Sequence, residues 1–422
     1  MSMKAFSLGL LALLSAGTLK AQRCGSDAYL KHLEHTQPGI GQAVRNLSTL
    51  QYKKTRSTVR YIPVVVHIVY KNAAENLTDN YINAQIDQLN RCYGRTNADT
   101  TNMRSLFQPI VGPAKIQFIL DQIIRVPTTQ TSFDAGGIWP FSGSDNVKST
   151  GNGGSDAVSP TTKLNVWVCD LKLDGQDLLI GYAYPPPGLP NWGGQGNTNP
   201  AIDGVVMDYL DIGGPGRPPK GAAYGFQGKS LVHEVGHYLG LRHIWGDDGG
   251  ACFGQQDFED DGITDTPHQG DQSMDNCNKN MNSCIQSPND MPDMVENYMD
   301  YSSASCQNSF TKGQVTLMEN VLSTIRTTIM VPTGLGQEAD SETMIVYPNP
   351  ARDRVVVQLN GQTFAQGTLS LINLTGQTLR RFDLESGREM QEFPVNDLPR
   401  GVYMLQAVVD QQSLFTRKLI LE

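Results

Sequence analysis

His233-Glu234-Val235-Gly236-His237-Tyr238-Leu239-Gly240-Leu241-Arg242-His243 holds three of the seven histidines of a 422-residue chain. The spacing predicts a helix from about Lys229 to Leu241. On it, positions 233 and 237 lie one turn apart and project from one face, so both imidazoles reach a single ion. Glu234 stands beside the first, placed to take a proton from water held at that ion. Gly240 marks where the helix stops in a sharp turn that tolerates left-handed backbone angles. That turn brings His243 back as a third ligand. Three histidines leave one position of a tetrahedral zinc open, as a catalytic site requires. A buried helix with incidental histidines is the bland alternative, and the fixed spacings argue against it.

Upstream, Tyr61-Ile-Pro-Val-Val-Val-His-Ile-Val-Tyr70 is too apolar and β-branched for an exposed edge and reads as a core strand. Asp79 caps a helical stretch with Ile82, Ile86 and Leu89 three or four apart. Further strands are expected at Lys115 to Val126, Leu164 to Leu171, Leu178 to Tyr184 and Ile202 to Asp208. Gly- and Ser-rich loops at 136–156 and 187–199 separate some of them. Downstream come some 65 residues of acidic, Cys- and Asn-rich loop. A last helix follows from about Phe310 to Ile325, with Thr311 and Gln314 spaced as a capping box. This pattern predicts an α/β or α+β catalytic unit at 59–332. A linker by composition occupies 333–342. Short alternating runs such as Val355 to Leu359, Thr368 to Leu374, Gly401 to Val409 and Leu414 to Leu421, separated by turn residues, predict a small all-β sandwich across 343–422.

Once the zinc motif is extended to His243, it resembles that of the metzincin metallopeptidases. Glu296-Asn297-Tyr298-Met299-Asp300-Tyr301 resembles the methionine turn of their pappalysin family. The resemblance covers roughly residues 59–332. It implies a mixed sheet with an active-site helix and an irregular C-terminal subdomain, one catalytic zinc, and hydrolysis of protein or peptide substrates. It also implies that Met299 lies beneath the imidazoles as an apolar base and that Tyr301 hydrogen-bonds the oxyanion in the transition state. Asp260-Asp261-Gly-Ile-Thr264-Asp265-Thr266 resembles the family's calcium loop, with Asp260, Asp261, Thr264 and Thr266 supplying oxygens to a structural Ca2+. A solvated acidic loop is the other reading of that stretch. Relatives that cut before Lys or Arg carry an acid five residues after the turn methionine. Ala304 stands there in this chain, so a preference for basic residues is not implied.

Of the seven cysteines, Cys252, Cys277, Cys284 and Cys306 fall in the irregular stretch. Spacing leaves all three pairings of four cysteines open. The resemblance implies Cys252–Cys284 and Cys277–Cys306. Cys24, in Arg23-Cys24-Gly25, lies in a polar segment, 22–58, that ends in the basic cluster Lys53, Lys54, Arg56 and Arg60. Such a segment reads as a cleavable pro-segment. By resemblance, Cys24 holds the enzyme latent as a zinc-bound thiolate, a cysteine switch. Pairing with Cys92 or Cys169 is the alternative, and so is a Cys92–Cys169 bond.

Residues 1–21 read as a secretory signal, with Lys4 before an apolar run and Ala21 at the cut. Lipidation at Cys24 competes, but Arg23 is wrong for it. Val346-Tyr-Pro-Asn-Pro-Ala-Arg352, Leu398-Pro-Arg-Gly-Val-Tyr-Met-Leu405 and Arg417-Lys418-Leu-Ile-Leu421 resemble the sorting domains of type IX secretion. They imply export through the periplasm to the medium or the cell surface, with the type IX machinery as partner. A carbohydrate-binding sandwich is the alternative. The formal net charge of −9 excludes a nucleic-acid binder of the usual basic kind. No apolar run reaches the ~18–20 residues that span a bilayer. At 39% hydrophobic the chain is apolar enough to bury real cores, which excludes a wholly disordered one. A secreted adhesion protein with a structural zinc is the competing function.

Overall fold

The computed structural model describes residues 24–25, 59–135, 145–177, 179–192, 196–213, 228–246, 252, 254, 261–274, 277–285, 290–329, 344–359, 367–373, 378–388, 390–409 and 412–421. The expected signal, the linker and most of the expected pro-segment lie outside these residues. The chain runs β1 (Arg60–Tyr70), α1 (Asp79–Tyr93), β2 (Ile116–Pro127), β3 (Phe133–Asp134), β4 (Leu164–Cys169), β5 (Leu171–Lys172), β6 (Gly181–Ala183), β7 (Val205–Asp208), α2 (Ser230–Tyr238) and α3 (Lys312–Thr324). It continues as β8 (Met344–Tyr347), β9 (Arg354–Leu359), β10 (Gly367–Ile372), β11 (Thr378–Leu384), β12 (Met390–Pro394), β13 (Gly401–Val409) and β14 (Gln412–Leu421).

A five-stranded sheet in the order β2-β1-β4-β7-β6 carries the first unit, parallel except for β6. β1 has a partner on each side and is covered on both faces, which accounts for its continuous apolar run. β2 lies at one edge, and its first four residues alternate buried and exposed. α1 makes the crossover from β1 to β2 and buries Ile82, Ile86 and Leu89 in the main core. Asp79 is not its cap: Thr78 holds that position, with no side-chain cap bond, and Asp79 opens the first turn. β3 and β5 form a separate two-stranded pair. The short β6 is the other edge of the sheet, and α2 packs against β6 and β7.

Between α2 and α3 the described residues contain no α-helix and no named strand. α3 starts at the expected capping box: Thr311 Oγ1 accepts from Gln314 N at 3.1 Å, and Thr311 N donates to Gln314 Oε1 at 2.9 Å. Caps of this kind are worth about 0.5–2 kcal/mol. The C-terminal unit has two antiparallel sheets, β11-β10-β13-β14 and β12-β9-β8. Val355, Val357, Leu369, Leu371, Leu405 and Leu419 form the core of this sandwich.

His67, in the middle of β1, is fully buried. Asn165 Nδ2 donates to Val158 O, which fixes the amide so that Asn165 Oδ1 accepts from His67 Nε2 at 2.9 Å. Ser155 Oγ then donates to Nδ1 at 2.8 Å. Burial lowers the His67 pKa, only partly offset by the Asn165 bond and Asp156. The unfolded chain therefore takes up this proton first, so stability is lost as pH falls below about 6.5 towards the depressed folded value. His67→Gln should show a smaller drop in melting temperature between about pH 7.5 and about pH 5 than the wild type. Equal slopes by circular dichroism would assign the acid sensitivity to other groups.

Candidate active site and metal centre

The predicted helix is shorter than its expected 229–241 span because a Schellman turn closes it. Gly240 N donates to His237 O at 2.8 Å, and Leu241 N to Gly236 O at 2.9 Å. Gly240 has φ +94°, and a Cβ there would lie 2.4 Å from Leu189 Cδ1. Asn191 Nδ2 and Trp192 Nε1 both donate to Gly240 O at 2.9 Å. Arg326 Nε donates to Tyr238 O at 2.9 Å while its guanidinium pairs with buried Asp203. Removing one partner of such a pair costs roughly 3–5 kcal/mol, so the turn that returns His243 is held firmly from outside.

That turn closes the centre. His233 Nε2 lies 3.0 Å from His237 Nε2 and 3.1 Å from His243 Nε2, with 3.1 Å between the latter two. His233 Nδ1 donates to Tyr298 O at 2.7 Å and His237 Nδ1 to Leu241 O at 2.8 Å, which turns both Nε2 lone pairs inward. Burial first, then His243 and His233, hold His237 well below the ordinary histidine range, so it is neutral. Zinc–nitrogen bonds of 2.0–2.1 Å give a tetrahedral edge of about 3.3 Å, and the observed spacing fits that ion. Ligand atoms of Cys24, His233, His237 and His243 all lie within 4.8 Å of one another, and all four residues are buried.

Met299 is fully buried against α2. Its Sδ comes within 2.5 Å of where a Cβ on Gly236 would stand, so a glycine between the two histidines is what lets the methionine approach. The methionine turn is tied to the α3 cap: Met299 N donates to Asn297 Oδ1 at 2.9 Å, and Asn297 Nδ2 to Gln314 Oε1 at 2.9 Å. Tyr301 stands edge-on to His243, with ring centroids 4.8 Å apart. Trp245, which the sequence analysis missed, stacks flat on His243 at 4.3 Å and meets the Tyr301 ring at 4.8 Å.

Cys24 and Gly25 are the described part of the N-terminal segment, and they lie in this centre. Cys24 Sγ donates to Glu234 Oε2 at 3.3 Å, and Tyr301 Oη to Cys24 O at 3.5 Å. Gly25 N donates to Gly181 O on the edge strand β6 at 3.0 Å, with Cys24 bridged in parallel to Gly181. A pocket beside Glu234 is lined by Asp211, Lys229, Asp300, Ala304 and Gln307. Sequence reading singled out only Ala304 among these. Burial raises the Asp300 carboxyl pKa above the usual range, against hydrogen bonds from Ser273 and Gln269.

The expected calcium loop packs against the start of α3. Asp261 Oδ1 accepts from Ile263 N at 2.8 Å and from Thr266 Oγ1 at 2.9 Å, which folds the loop on itself. Asp265 Oδ2 accepts from Gly313 N at 2.8 Å in the first turn of α3. Thr264 is exposed, and Asp260 lies outside the described residues. Cys252 is bonded to Cys284 and Cys277 to Cys306, with Cα separations of 5.4 and 5.7 Å. No disulfide joins Cys24, Cys92 or Cys169 to one another. Cys92 sits in the main core and Cys169 in a separate cluster, which removes the pairings left open for these three.

Residues 222–323 match the Peptidase M43 family, described as pregnancy-associated plasma protein-A, and residues 345–422 match a secretion system C-terminal sorting domain. An extracellular metalloprotease of Arthroderma benhamiae is 36% identical over 157 residues, 37% of this chain and 46% of its own length. The chain thus spans less than half of that relative. A second extracellular metalloprotease, from Arthroderma gypseum, is 27% identical over 310 residues, 73% of this chain and 86% of its own. Among solved structures, Tannerella forsythia mature mirolysin in complex with a cleaved peptide is 37% identical, with a TM-score of 0.55, covering 65% of this chain and 97% of that one. A Tannerella forsythia promirolysin mutant is 33% identical, with a TM-score of 0.59, covering 73% and 97%. With its C-terminal sorting match, this chain is a secreted or cell-surface protein.

Proposed function

This chain belongs to the M43 or pappalysin family of metallopeptidases, and from that premise we propose that it is a zinc-dependent endopeptidase made as a latent zymogen. The convergence of three imidazole nitrogens within 3.1 Å beside a buried carboxylate carries this reading. His233, His237 and His243 would hold zinc, which when bound acidifies water and polarises the scissile carbonyl. Glu234 takes a proton from the attacking water and passes it to the leaving amine. Tyr301 donates its hydroxyl proton in a hydrogen bond to the developing oxyanion. Met299 packs beneath the imidazoles and takes no part in the chemistry. The cleaved peptide bound to mature mirolysin supports polypeptide substrates.

Cys24 is the latency residue, and residues 22–58 are the segment removed on maturation. The unit at 59–332 does the chemistry. The sandwich at 343–422 is read by the type IX secretion machinery after a signal at 1–21 delivers the chain to the periplasm. A structural calcium binds the loop at 260–266, where Asp261 and nearby oxygens suit a hard cation.

The matured protein should hydrolyse casein, lose that activity on chelation and regain it with added zinc. A secreted adhesion protein with a structural zinc would bind the metal through three imidazoles and one thiolate and show no hydrolysis at all. Absence of cleavage by a zinc-loaded chain freed of its N-terminal segment would overturn the peptidase reading.

A further inference from the structure

Lys229 is 1% exposed, yet its ammonium is fully satisfied. Its Nζ donates to Asp99 Oδ2 at 2.5 Å, Ala304 O at 2.6 Å and Gln307 O at 2.5 Å. Three protons meet three acceptors, so no proton is left over for a substrate. The three acceptors belong to two segments distant in sequence, and Lys229 itself precedes the first residue of α2. Asp99 lies in the 3-10 turn Ala98–Asn102. Ala304 and Gln307 flank Cys306, whose disulfide to exposed Cys277 pins the same loop from its other side. Gln307 Nε2 donates to Asp300 O at 2.7 Å, which joins this loop to the methionine turn. Lys229, Asp300, Ala304 and Gln307 are all walls of the pocket that opens beside Glu234.

We infer that Lys229 is a specificity-determining positioning residue: its ammonium ties the 304–307 wall to the 98–102 segment and to the start of the active-site helix, and so fixes which substrate side chains enter the pocket beside Glu234. A neutral side chain of nearly the same length removes the tie and leaves two carbonyls and the half-buried Asp99 Oδ2 without their cation, although Asp99 Oδ1 still accepts from Asn97 Nδ2. The wall then relaxes to find new partners, and the pocket loses its fixed depth. Selection by a pocket changes by about 10–200-fold for one methylene of misfit, so a loosened wall is read as lost discrimination. This inference rests on the peptidase reading, because discrimination is defined only for a chain that cleaves.

The test compares wild type with Lys229→Met, each expressed as the full chain, matured and zinc-loaded. Wild type is assayed first on a peptide library, with products identified by mass spectrometry. No cleavage by wild type overturns the peptidase reading itself, whatever the variant does. Where wild type cleaves, Lys229→Met should narrow the spread between best and worst peptides by about tenfold or more. The change should fall mainly on KM, with zinc content unaltered. Asp99→Asn keeps an acceptor but removes the charge, and should give an intermediate profile. It also serves as the test where Lys229→Met is insoluble. An unchanged cleavage profile, or a uniform fall in kcat across all peptides, would overturn the assignment.

Discussion

Glu234→Ala should lower kcat by about 10²–10⁴-fold or more, because positioned acid–base groups contribute on that scale, while zinc stays bound at one per chain. The carboxylate is buried and accepts from the Cys24 thiol at 3.3 Å, but it is not among the four residues whose ligand atoms converge. His233 and His237 keep their carbonyl partners, Tyr298 O and Leu241 O, in the variant, since neither bond involves position 234. The ring orientations, and with them the metal affinity, should therefore survive. The thiol that Glu234 holds is uncharged, so losing that bond strands no charge there, and the melting temperature should stay close to wild type. Steady-state kinetics on casein peptides, together with chelator competition for zinc, separate the two properties. Loss of zinc from Glu234→Ala would mean that the carboxylate belongs to the metal shell and that another group moves the proton.

The same helix shows how much was legible beforehand. A sequence can display a period, a cap and a glycine, and these located β1, the start of α1 and the capping box of α3 to within about two residues. Gly240 announced a turn, but the turn is held by Asn191, Trp192 and the Arg326–Asp203 pair, which come from three other segments. No local pattern encodes such contacts. Lys229 looked like one more polar residue at a helix start, because its role depends on carbonyls some 75 and 78 positions away. Trp245 was passed over for a similar reason: an aromatic near a loop reads as ordinary core until it is seen lying flat on His243. In the sandwich, β8, β11 and β12 went unnoticed. β11 and β12 are mostly exposed and too polar to stand out, and β8 has only four residues.

The zymogen should show sulfur in its zinc shell by X-ray absorption, and the Glu234→Ala chain is the form to measure because it cannot process itself. A three-histidine zinc has one position left, and hydrolysis needs water to stand there. The N-terminal segment reaches that position along the edge strand: Gly25 N is bonded to Gly181 O, and Tyr301 Oη is turned onto Cys24 O. Both groups proposed to act on substrate are thus occupied at once, since Glu234 also holds the Cys24 thiol. A thiolate is a soft and strong zinc ligand, and the positive ion favours losing the thiol proton. Its coordination would remove the attacking water and leave Glu234 nothing to deprotonate. Cys24→Ala keeps the Gly25 backbone contact but loses the sulfur, so the zymogen should mature faster and accumulate less. The mature enzyme, freed of residue 24 in either case, should have unchanged kcat and KM. A mere packing role for Cys24, which is 1% exposed in a cluster with Phe107, Trp245 and Tyr301, would also speed maturation in the alanine variant, so rate alone does not decide. The absorption edge does: a shell of nitrogen and oxygen only would rule out thiolate latency and leave Cys24 as a buried apolar contact.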